Sequence, residues 1–297
     1  HAGRNWDDAI GESGPEDPDF SLVSFQSLKG RPIAVLGNFS MHYFGGGIKS
    51  VNADYFGLFN DQMTKELGHK QPDKPAFVSV LGHGCSGDIW RRDYTKKEYP
   101  NPKIEDYTSG LVKKAVATYG KIEYERTATL SMAEAKLPLK FRAPDQQLLE
   151  WAKGIVSKTE GLPKTQPEIY AREQIFLHER PEAELILQAI RIGDIGITGI
   201  PNEVYALSGL KQKAHSPLKT TITFDLTNGA EGYIPPPEQH VLGGYNTWAA
   251  RTAGLETSAE PRIVETCIQL LEKVAGKPRK KIKVSQGLVA QLITKTK

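Results

Sequence analysis

The sequence predicts an α/β or α+β domain in which a mixed β-sheet is covered by helices. Short apolar runs of strand length alternate with segments of helical periodicity, as in folds that layer helices on a sheet. Within segment 183–200, two strand patterns meet at Gly193-Asp194, a two-residue turn that predicts an antiparallel hairpin. The chain has 297 residues, 39% of them apolar, which is enough for a sizeable core and excludes disordered, collagen-like and coiled-coil proteins.

The first half of the chain is predicted from its apolar runs and its helix-end residues. Asn52 is a residue type that caps helix N-termini and Gly68 is a frequent helix end, so a helix is predicted over 53–67. The elements predicted in this half are, in order, a polar loop over 1–20, a strand over 32–39, this helix, a strand over 75–81, a loop over 82–104, a helix over 105–119 and strands within 122–141.

The second half contains a long segment without periodicity. The elements predicted here are helices over 145–158 and 167–179, the hairpin over 183–200, a helix over 203–213, a strand over 219–226, a loop over 227–258 and a helix over 260–275. Long loops in compact domains are usually functional or disordered, which makes 227–258 a candidate site region. We expect one domain over 1–276 and a basic C-terminal tail over 277–297.

The charge distribution argues against a nucleic-acid-binding protein. The formal net charge is +3, but segment 277–297 holds seven basic residues and no acidic residue, and the remainder has fewer basic than acidic side chains. No apolar run is long enough for a transmembrane helix. Cys85 and Cys267 permit one disulfide, but neither a disulfide framework nor a cysteine zinc cluster.

Segment 82–88, Gly-His-Gly-Cys-Ser-Gly-Asp, contains the pattern G-x-G-x-x-G directly after a predicted strand. A dinucleotide site also needs a helix that opens at the third glycine, and the following residues do not predict one. The spacing also fails to match the nucleophile elbow G-x-S-x-G. A tight turn at a strand's C-terminal end is a usual ligand position, so Ser86 and Asp88 are candidate catalytic residues. The alternative is a structural turn whose Asp88 accepts backbone N–H groups.

Four further residues stand in positions suited to a site. His42 follows strand 32–39 and precedes three glycines, which let substrate or backbone approach closely, although a single His is more often structural. Glu203 follows Pro201 and offers the hard anionic oxygen that zinc accepts, although the dipole of a following helix also favours Glu there. Tyr233 and Tyr245 are flanked by glycines in the long loop, which suggests either a pocket wall or packing of the loop.

Taken in chain order, these pieces resemble the catalytic domain of the neutral/alkaline (non-lysosomal) ceramidase family. The matching stretches are Asn38-Phe39-Ser40-Met41-His42, Cys85-Ser86-Gly87-Asp88, Gly199-Ile200-Pro201-Asn202-Glu203, Gly232-Tyr233 and Gly243-Gly244-Tyr245. The likeness covers roughly residues 18–275 and depends on the order and spacing of these motifs. It implies a ceramidase-like fold and hydrolysis of an amide bond in ceramide or another N-acyl substrate.

The resemblance also implies a Zn²⁺ site and a lipid-amide partner. The family holds zinc with two His, one Glu and one Tyr, and His42, Glu203 and Tyr233 match three of these ligands. Tyr245 matches a second tyrosine that lies over the substrate carbonyl. Zinc polarises a carbonyl and lowers the pKa of water, and a phenol can donate to a developing oxyanion. Family members act in sphingolipid metabolism outside the cytoplasm, so an extracellular or periplasmic location is expected.

Two departures from the family pattern leave the activity open. The family's first zinc His lies in an upstream Thr-His-Thr-His type motif that this chain lacks, so we expect the chain to begin inside a larger fold. Trp90 stands where the family has its nucleophilic serine, and an activated water would have to replace it. The alternative to a zinc-dependent hydrolase is a catalytically inactive relative that acts as a binding or structural protein. A third hypothesis is a thiol hydrolase that uses Cys85 with His83.

Overall fold

Two β-sheets stacked face to face, with helices on their outer faces, form the frame of the protein. The computed structural model describes residues 11–45, 50–68, 75–94, 96–98 and 101–281. Both sheets contain parallel and antiparallel strand pairs. The predicted α/β class with helix-covered mixed sheets is confirmed, with two sheets where the sequence predicted a single core sheet.

The first sheet has three strands covered by two helices. Its spatial order is β1 (Phe20–Gln26), β2 (Pro32–Phe39) and β3 (Val78–His83), with β1 and β2 antiparallel and β2 and β3 parallel. Helices α1 (Asp54–Leu67) and α2 (Ile104–Tyr119) pack on its outer face. The core between the helices and the sheet is apolar and includes Val35, Tyr55, Phe59, Met63, Leu81 and Leu111.

The second sheet has four strands and lies on two further helices. Its members, in spatial order, are β4 (Leu130–Lys140), β5 (Glu182–Ile192), β6 (Ile195–Gly199) and β8 (Thr220–Phe224). The β6–β8 pair is parallel and the other two pairs are antiparallel. The helices against its outer face are α5 (Ala206–His215) and α7 (Ala259–Ala275), and α7 supplies the largest share of the buried side chains.

The remaining elements surround one end of this frame. They are a helical hairpin of α3 (Gln146–Val156) and α4 (Gln166–Glu179), the two-residue strands β7 (Glu203–Val204) and β9 (Tyr233–Ile234), the short helix α6 (Pro237–Leu242) and the 3₁₀ turns Tyr245–Thr247 and Arg251–Ala253. A capping box between Thr165 and Glu168 fixes the start of α4. The predicted loop over 227–258 therefore contains β9, α6 and both 3₁₀ turns.

Apolar side chains fill the space between the two sheets. Val23 and Leu36 of the first sheet pack against Ile197 and Ile222 of the second. Successive strand residues point to opposite faces, so β2 directs Val35 toward the helices and Leu36 toward the other sheet. Full burial of each such side chain contributes about 1.5–3 kcal/mol to folding.

One predicted helix cap and one predicted helix start are wrong. Asn52 does not cap α1, because Ala53 is the N-cap residue and the Asn52 side-chain oxygen accepts a hydrogen bond from the Asp54 N–H at 2.9 Å. The helix predicted over 203–213 begins at Ala206 instead. Glu203 and its neighbour lie in β7, where they pair with β9 rather than open a helix.

Two strand predictions also need correction, and one strand has no counterpart in the sequence-based prediction. Strand β1 begins at the end of the predicted loop 1–20 and was not predicted. The strand predicted over 75–81 lies at Val78–His83, and segment 122–141 contains β4 alone among its described strands. The alternation in 122–141 is therefore a correct strand signal, whereas the loop residues Gly14, Pro15 and Pro18 precede β1 without predicting the strand itself.

The cysteines and the C-terminal segment have simple structural roles. Cys85 and Cys267 are both buried and unbonded, so they form no disulfide. Arg279 pairs with Glu265 and Glu272 of α7, which holds the first part of the predicted basic tail against the domain. Residues 282–297 of that tail lie outside the described residues. Within the described ranges, no helix is long and apolar enough to cross a membrane.

Candidate active site

The short parallel pair of β7 and β9 brings two predicted site residues side by side. Glu203 lies directly opposite Tyr233 in the register of this pair. The Glu203 N–H donates to the Gly232 carbonyl at 3.0 Å, which fixes the backbone of both strands. Gly232 has a φ of +75°, and a Cβ there would lie 2.5 Å from the Thr252 carbonyl oxygen, so only glycine fits this approach.

His42 faces Glu203 across a narrow gap. The His42 Nε2 and Glu203 Oε2 atoms are 3.6 Å apart, which is too long for a hydrogen bond. Glu203 Oε2 is buried and has no hydrogen-bond partner among the described residues. The other ring nitrogen, His42 Nδ1, lies 3.2 Å from the Tyr43 carbonyl oxygen. This contact leaves Nε2 directed at the carboxylate, with an unsatisfied buried oxygen opposite it.

The loop that carries His42 is fastened to α1 by Asp54. The Asp54 carboxylate accepts hydrogen bonds from the Phe44 N–H at 2.9 Å and the Gly45 N–H at 3.0 Å. Asp54 holds a φ of +50°, an unusual value for a residue other than glycine. Strain of about 1–3 kcal/mol at such a residue persists only where the surroundings fix it, and here it lies beside the His42 loop.

Tyr233 and Tyr245 meet at their hydroxyl groups. The two hydroxyl oxygens are 3.3 Å apart, and the rings are nearly perpendicular at 87°. Tyr233 is 8% exposed whereas Tyr245 is 45% exposed, so the pair leads from the interior to the surface. Burial, the contact with Tyr245 and the adjacent Glu203 carboxylate together raise the pKa of the Tyr233 phenol.

Two aromatic residues complete this site, and the sequence did not identify their roles. The Tyr43 ring lies 4.0 Å from the His42 ring, and burial followed by Glu203 raises the pKa of the Tyr43 phenol. Trp90, at the position that matches the family's nucleophile, packs its ring edge to face with His42 at 5.3 Å. Arg91 lies over the Trp90 ring at 4.4 Å. The indole therefore forms a wall beside His42.

The glycines of segment 82–88 serve close packing. A Cβ on Gly82 would overlap the Phe224 ring, and a Cβ on Gly84 would lie 2.7 Å from the Ser40 hydroxyl. A Cβ on Gly87 would lie 2.8 Å from the Glu203 carbonyl oxygen. Among the described residues, no helix follows this segment until α2 begins. The described part of the chain therefore lacks the helix that a dinucleotide site needs directly after its third glycine.

Ser86, His83 and Asp225 form a buried chain of polar contacts. The Ser86 Oγ lies 2.7 Å from His83 Nε2, and His83 Nδ1 lies 3.2 Å from Asp225 Oδ1. The second contact lacks the geometry of a hydrogen bond, because Asp225 Oδ1 has no hydrogen-bond partner among the described residues. Burial lowers the pKa of His83 to about 4, and burial raises the pKa of Asp225 well above its usual range. The low pKa of His83 leaves its ring uncharged near neutral pH. Asp225, at the end of β8, was not predicted to belong to a site.

The spacing of these three groups is that of a serine-hydrolase triad, but two features differ. Ser86 is fully buried, so its hydroxyl does not face solvent. The Ser86 N–H donates to the Asp225 carboxyl group and is not free to stabilise an oxyanion. The His83 ring contacts Ser86 rather than Cys85, and burial raises the pKa of the Cys85 thiol well above its usual range. The thiolate needed by the thiol-hydrolase hypothesis is thus disfavoured.

Asp88 has the structural contact that the sequence offered as the alternative to catalysis. Its Oδ1 accepts a hydrogen bond from the Ala206 N–H at 2.8 Å, at the start of α5. Burial raises the pKa of Asp88 to about 6. The Gly87 N–H donates to the Val204 carbonyl at 2.8 Å, so the turn is tied to β7 as well as to α5. A catalytic role for Asp88 or Ser86 stays a prediction.

A cavity of about 610 Å³ adjoins the site on the side of α4. Its walls are mainly apolar, and Glu203 is one of the lining residues. The apolar lining includes Phe141, Ile169, Tyr170, Phe176, Leu177 and Leu226. Two ion pairs, Arg251 with Glu173 and Arg180 with Glu231, neutralise four of the charged groups around it. A cavity of this size and composition suits an apolar ligand of the size of a lipid chain.

The arrangement fits a zinc ion in part. Nitrogen and oxygen donors bound to one tetrahedral zinc at about 2.0–2.2 Å are separated by roughly 3.4 Å, close to the 3.6 Å between His42 Nε2 and Glu203 Oε2. The unpartnered Glu203 oxygen is a free donor for such an ion. Among the described residues, no group of three or more His, Cys, Asp and Glu side chains could hold a metal, so His42 and Glu203 have no third partner of these types.

Comparisons with known proteins reveal structural but not sequence similarity. No protein-family model matches the chain, and no curated protein sequence matches it. The neutral ceramidase from Pseudomonas aeruginosa superposes with a TM-score of 0.64 and 12% identity over 91% of this chain and 48% of that chain. A ceramidase complexed with C2 gives a TM-score of 0.64 and 11% identity over 91% and 50%. The chain thus spans about half the length of these proteins and has a ceramidase-like fold.

Proposed function

We propose that this protein is a zinc-dependent hydrolase of an amide bond in an N-acyl lipid such as ceramide. The observation that supports this most directly is the convergence of His42, Glu203, Tyr233 and Tyr245 at one point of the fold. These residues come from four separate segments, and the unpartnered Glu203 oxygen lies among them. Similarity of fold to ceramidases supports the same class of substrate.

His42, Glu203 and Tyr233 would hold the zinc ion. When bound, the ion would supply Lewis-acid polarisation of the substrate carbonyl and lower the pKa of a water molecule. The protein's own contribution is the fixed direction of the donors. The Tyr43 carbonyl orients the His42 ring, and the β7–β9 register keeps Glu203 beside Tyr233.

Tyr245 is suited to stabilise charge on the substrate. Its hydroxyl lies on the exposed side of the Tyr233 hydroxyl, where a substrate carbonyl would arrive. A phenol O–H donated to the oxygen that gains negative charge lowers the barrier to attack on the amide. Trp90 has no nucleophilic atom, so the attacking group in this proposal is water and no acyl-enzyme forms. The Trp90 ring instead restricts the space beside His42.

The cavity beside Glu203 supports an apolar acyl group as part of the substrate. Its walls offer aromatic and aliphatic contacts, and four of its charged residues are paired with one another. An amide placed at the tyrosine pair could extend its chain into this space. Transfer of each buried CH₂ group from water would contribute about 0.8 kcal/mol to binding.

The proposal is tested by hydrolysis of a palmitoyl amide and by zinc analysis of the same preparations. We expect the wild type to bind one zinc ion and to release fatty acid, and chelation to abolish release until zinc is restored. His42→Ala and Glu203→Gln should lose both zinc and activity, whereas the exposed control His178→Ala should keep both. A folded wild type that binds zinc but hydrolyses no N-acyl amide would favour the inactive relative that acts as a binding protein.

A further inference from the structure

A buried histidine–aspartate pair lies beneath the two candidate zinc ligands and contacts the backbone next to each of them. His83 ends β3 and Asp225 follows β8, so the pair joins the two sheets. The side chain of His83 is 12% exposed and that of Asp225 is fully buried. A second link, from the Asp225 N–H to the His83 carbonyl at 3.2 Å, holds the two residues together through their backbones.

The contact on the His42 side is made through Met41. His83 Nε2 lies 3.1 Å from the Met41 carbonyl oxygen, and the Tyr55 hydroxyl donates to the same oxygen at 2.9 Å. Met41 directly precedes His42, so these two donors fix the peptide plane from which His42 emerges. Tyr55 is fully buried in the core between the first sheet and its two helices, where close packing restricts movement of its side chain.

The contact on the Glu203 side is made through Val204. Asp225 Oδ2 lies 3.5 Å from the Val204 nitrogen, in the residue that directly follows Glu203. The Ser86 hydroxyl, at 2.7 Å from His83 Nε2, and the Ser86 N–H, bonded to Asp225, add a third segment to the network. The pair therefore reaches the residue adjacent to Glu203 as well as the residue adjacent to His42.

We propose that His83 and Asp225 are positioning residues that set the separation of the His42 and Glu203 side chains, with Ser86 as their support. The proposal rests on the proposed function for the role of His42 and Glu203 as ligands. A metal site needs its donors held at fixed separation, and loss of the groups that orient its ligands typically costs about 10–100-fold in metal affinity. Here His83 and Asp225 contact the backbone of Met41 and Val204, the residues adjacent to His42 and Glu203. This differs from the more familiar arrangement, in which an outer residue hydrogen-bonds the side chain of the metal ligand itself.

The test compares zinc affinity and hydrogen exchange in matched variants. His83→Phe and Asp225→Ala remove the contacts, whereas His83→Gln and Asp225→Asn retain a polar group of similar reach. Thr198→Val is the control, because Thr198 belongs to a separate buried network with Gln212 and Thr223. Zinc dissociation constants come from competition with a chelator, and amide exchange is measured on metal-free protein at 41–45 and 203–206.

We expect His83→Phe and Asp225→Ala to weaken zinc binding by about 10–100-fold and to increase exchange in both segments. The polar variants should recover most of the affinity, and Thr198→Val should lose stability without a change in either readout. Unchanged affinity and exchange in His83→Phe, or an equal loss of affinity in Thr198→Val, would overturn the proposal. If the wild type binds no zinc, the proposed function fails, and the exchange data alone decide whether the pair fixes the two segments.

A serine-reactive fluorophosphonate separates this assignment from a catalytic triad. Ser86 as a buried support should remain unlabelled in native protein, as observed by mass spectrometry of its peptide. Stoichiometric labelling of Ser86 that depends on His83 would show a reactive nucleophile and would overturn the supporting role.

Discussion

The hydroxyl oxygens of Tyr233 and Tyr245 lie 3.3 Å apart although the two side chains have very different environments. Tyr233 is buried against Tyr205 and Ala253, and Tyr245 is nearly half exposed. Glu203, the cross-strand neighbour of Tyr233, lies on the inner side of the pair. The inner phenol therefore lies beside the Glu203 carboxylate and the outer phenol reaches the protein surface, which would give them different roles in the proposed function.

Removal of each hydroxyl should give a different defect. Tyr245→Phe should lower kcat for amide hydrolysis by about 10²–10³-fold with little change in KM or zinc content, because it removes one oxyanion donor. Tyr233→Phe should weaken zinc binding as well, since it removes a proposed ligand. Steady-state kinetics with parallel zinc analysis distinguishes the two. Equal zinc loss in both variants would contradict separate roles for the two phenols.

Gly87 is required for the approach of segment 82–88 to β7. A Cβ at this position would lie 2.8 Å from the Glu203 carbonyl oxygen and 3.1 Å from the Val204 carbonyl carbon. Gly87→Ala should therefore lower the free energy of unfolding by about 1–3 kcal/mol and shift the β7 backbone. Urea unfolding and zinc affinity are the measurements, and both should be affected.

The matched control for this prediction is Gly110→Ala in α2. A Cβ at Gly110 meets no atom within 4 Å. Alanine has the higher helix propensity, so this variant should be stabilised by up to about 1 kcal/mol with unchanged zinc affinity. If Gly87→Ala behaved like Gly110→Ala, the close approach of the turn to β7 would not limit the site.

The sequence predicted the strands and residues of the site more accurately than it predicted the contacts between them. Alternating patterns identified the hairpin of β5 and β6, and the spacing of motifs placed Glu203 and Tyr233 among the candidates, which the fold brings together. Their proposed roles remain predictions. The residue types alone left a structural use open for each position, the helix dipole for Glu203 and loop packing for Tyr233, and it is the pairing of β7 with β9 that brings the two together.

The supporting contacts were not predictable from local sequence. Asp225 directly follows the threonine-rich strand β8, and its partner His83 belongs to the other sheet, so their contact depends on how the sheets stack. Asn52 is a residue type that often caps helices, but its side chain accepts a hydrogen bond from the Asp54 N–H and does not cap α1. The Asp54 carboxylate accepts a hydrogen bond from the Phe44 N–H and so fastens the loop that carries His42. In both cases, tertiary contacts decided between local alternatives of similar free energy.

Asp88 should make stability depend on pH in an unusual direction. Burial raises its pKa from 3.8 to about 6, so between these values the folded state holds a proton that the unfolded state releases. The contribution of Asp88 to stability is therefore fully present below about pH 4 and is lost as the pH rises through about 6. The hydrogen bond from the Ala206 N–H offsets this effect only partly.

The change that tests this is Asp88→Asn, whose amide oxygen can still accept from the Ala206 N–H. Relative to wild type, the variant should gain about 1–3 kcal/mol in unfolding free energy between pH 4.5 and pH 7.5, as measured by urea unfolding across that range. The exposed variant Asp61→Asn controls for the loss of one carboxylate. A difference between Asp88→Asn and wild type that stays constant with pH would show that Asp88 is not protonated in the fold.

The cavity beside Glu203 should determine which acyl chains are accepted. Ile169 lies in its wall and is 40% exposed, so a larger side chain can be accommodated there without disturbing the core. Ile169→Trp should fill part of the 610 Å³ space and lower kcat/KM for a palmitoyl amide by about tenfold, equivalent to about 1.4 kcal/mol of lost chain binding. Hydrolysis of an acetyl amide should be unchanged, because its short chain does not reach the wall.

A matched control for the cavity is Leu162→Trp, which places the same ring at a surface position outside the wall. Leu162 is 78% exposed and is not among the lining residues, so this variant should hydrolyse both amides as the wild type does. The informative quantity is the ratio of kcat/KM for the palmitoyl and acetyl amides, since it cancels differences in zinc content and in active fraction. A ratio that Ile169→Trp leaves unchanged would place the acyl chain outside this cavity, and an equal fall for both amides would indicate damage to the tyrosine pair and not to chain binding.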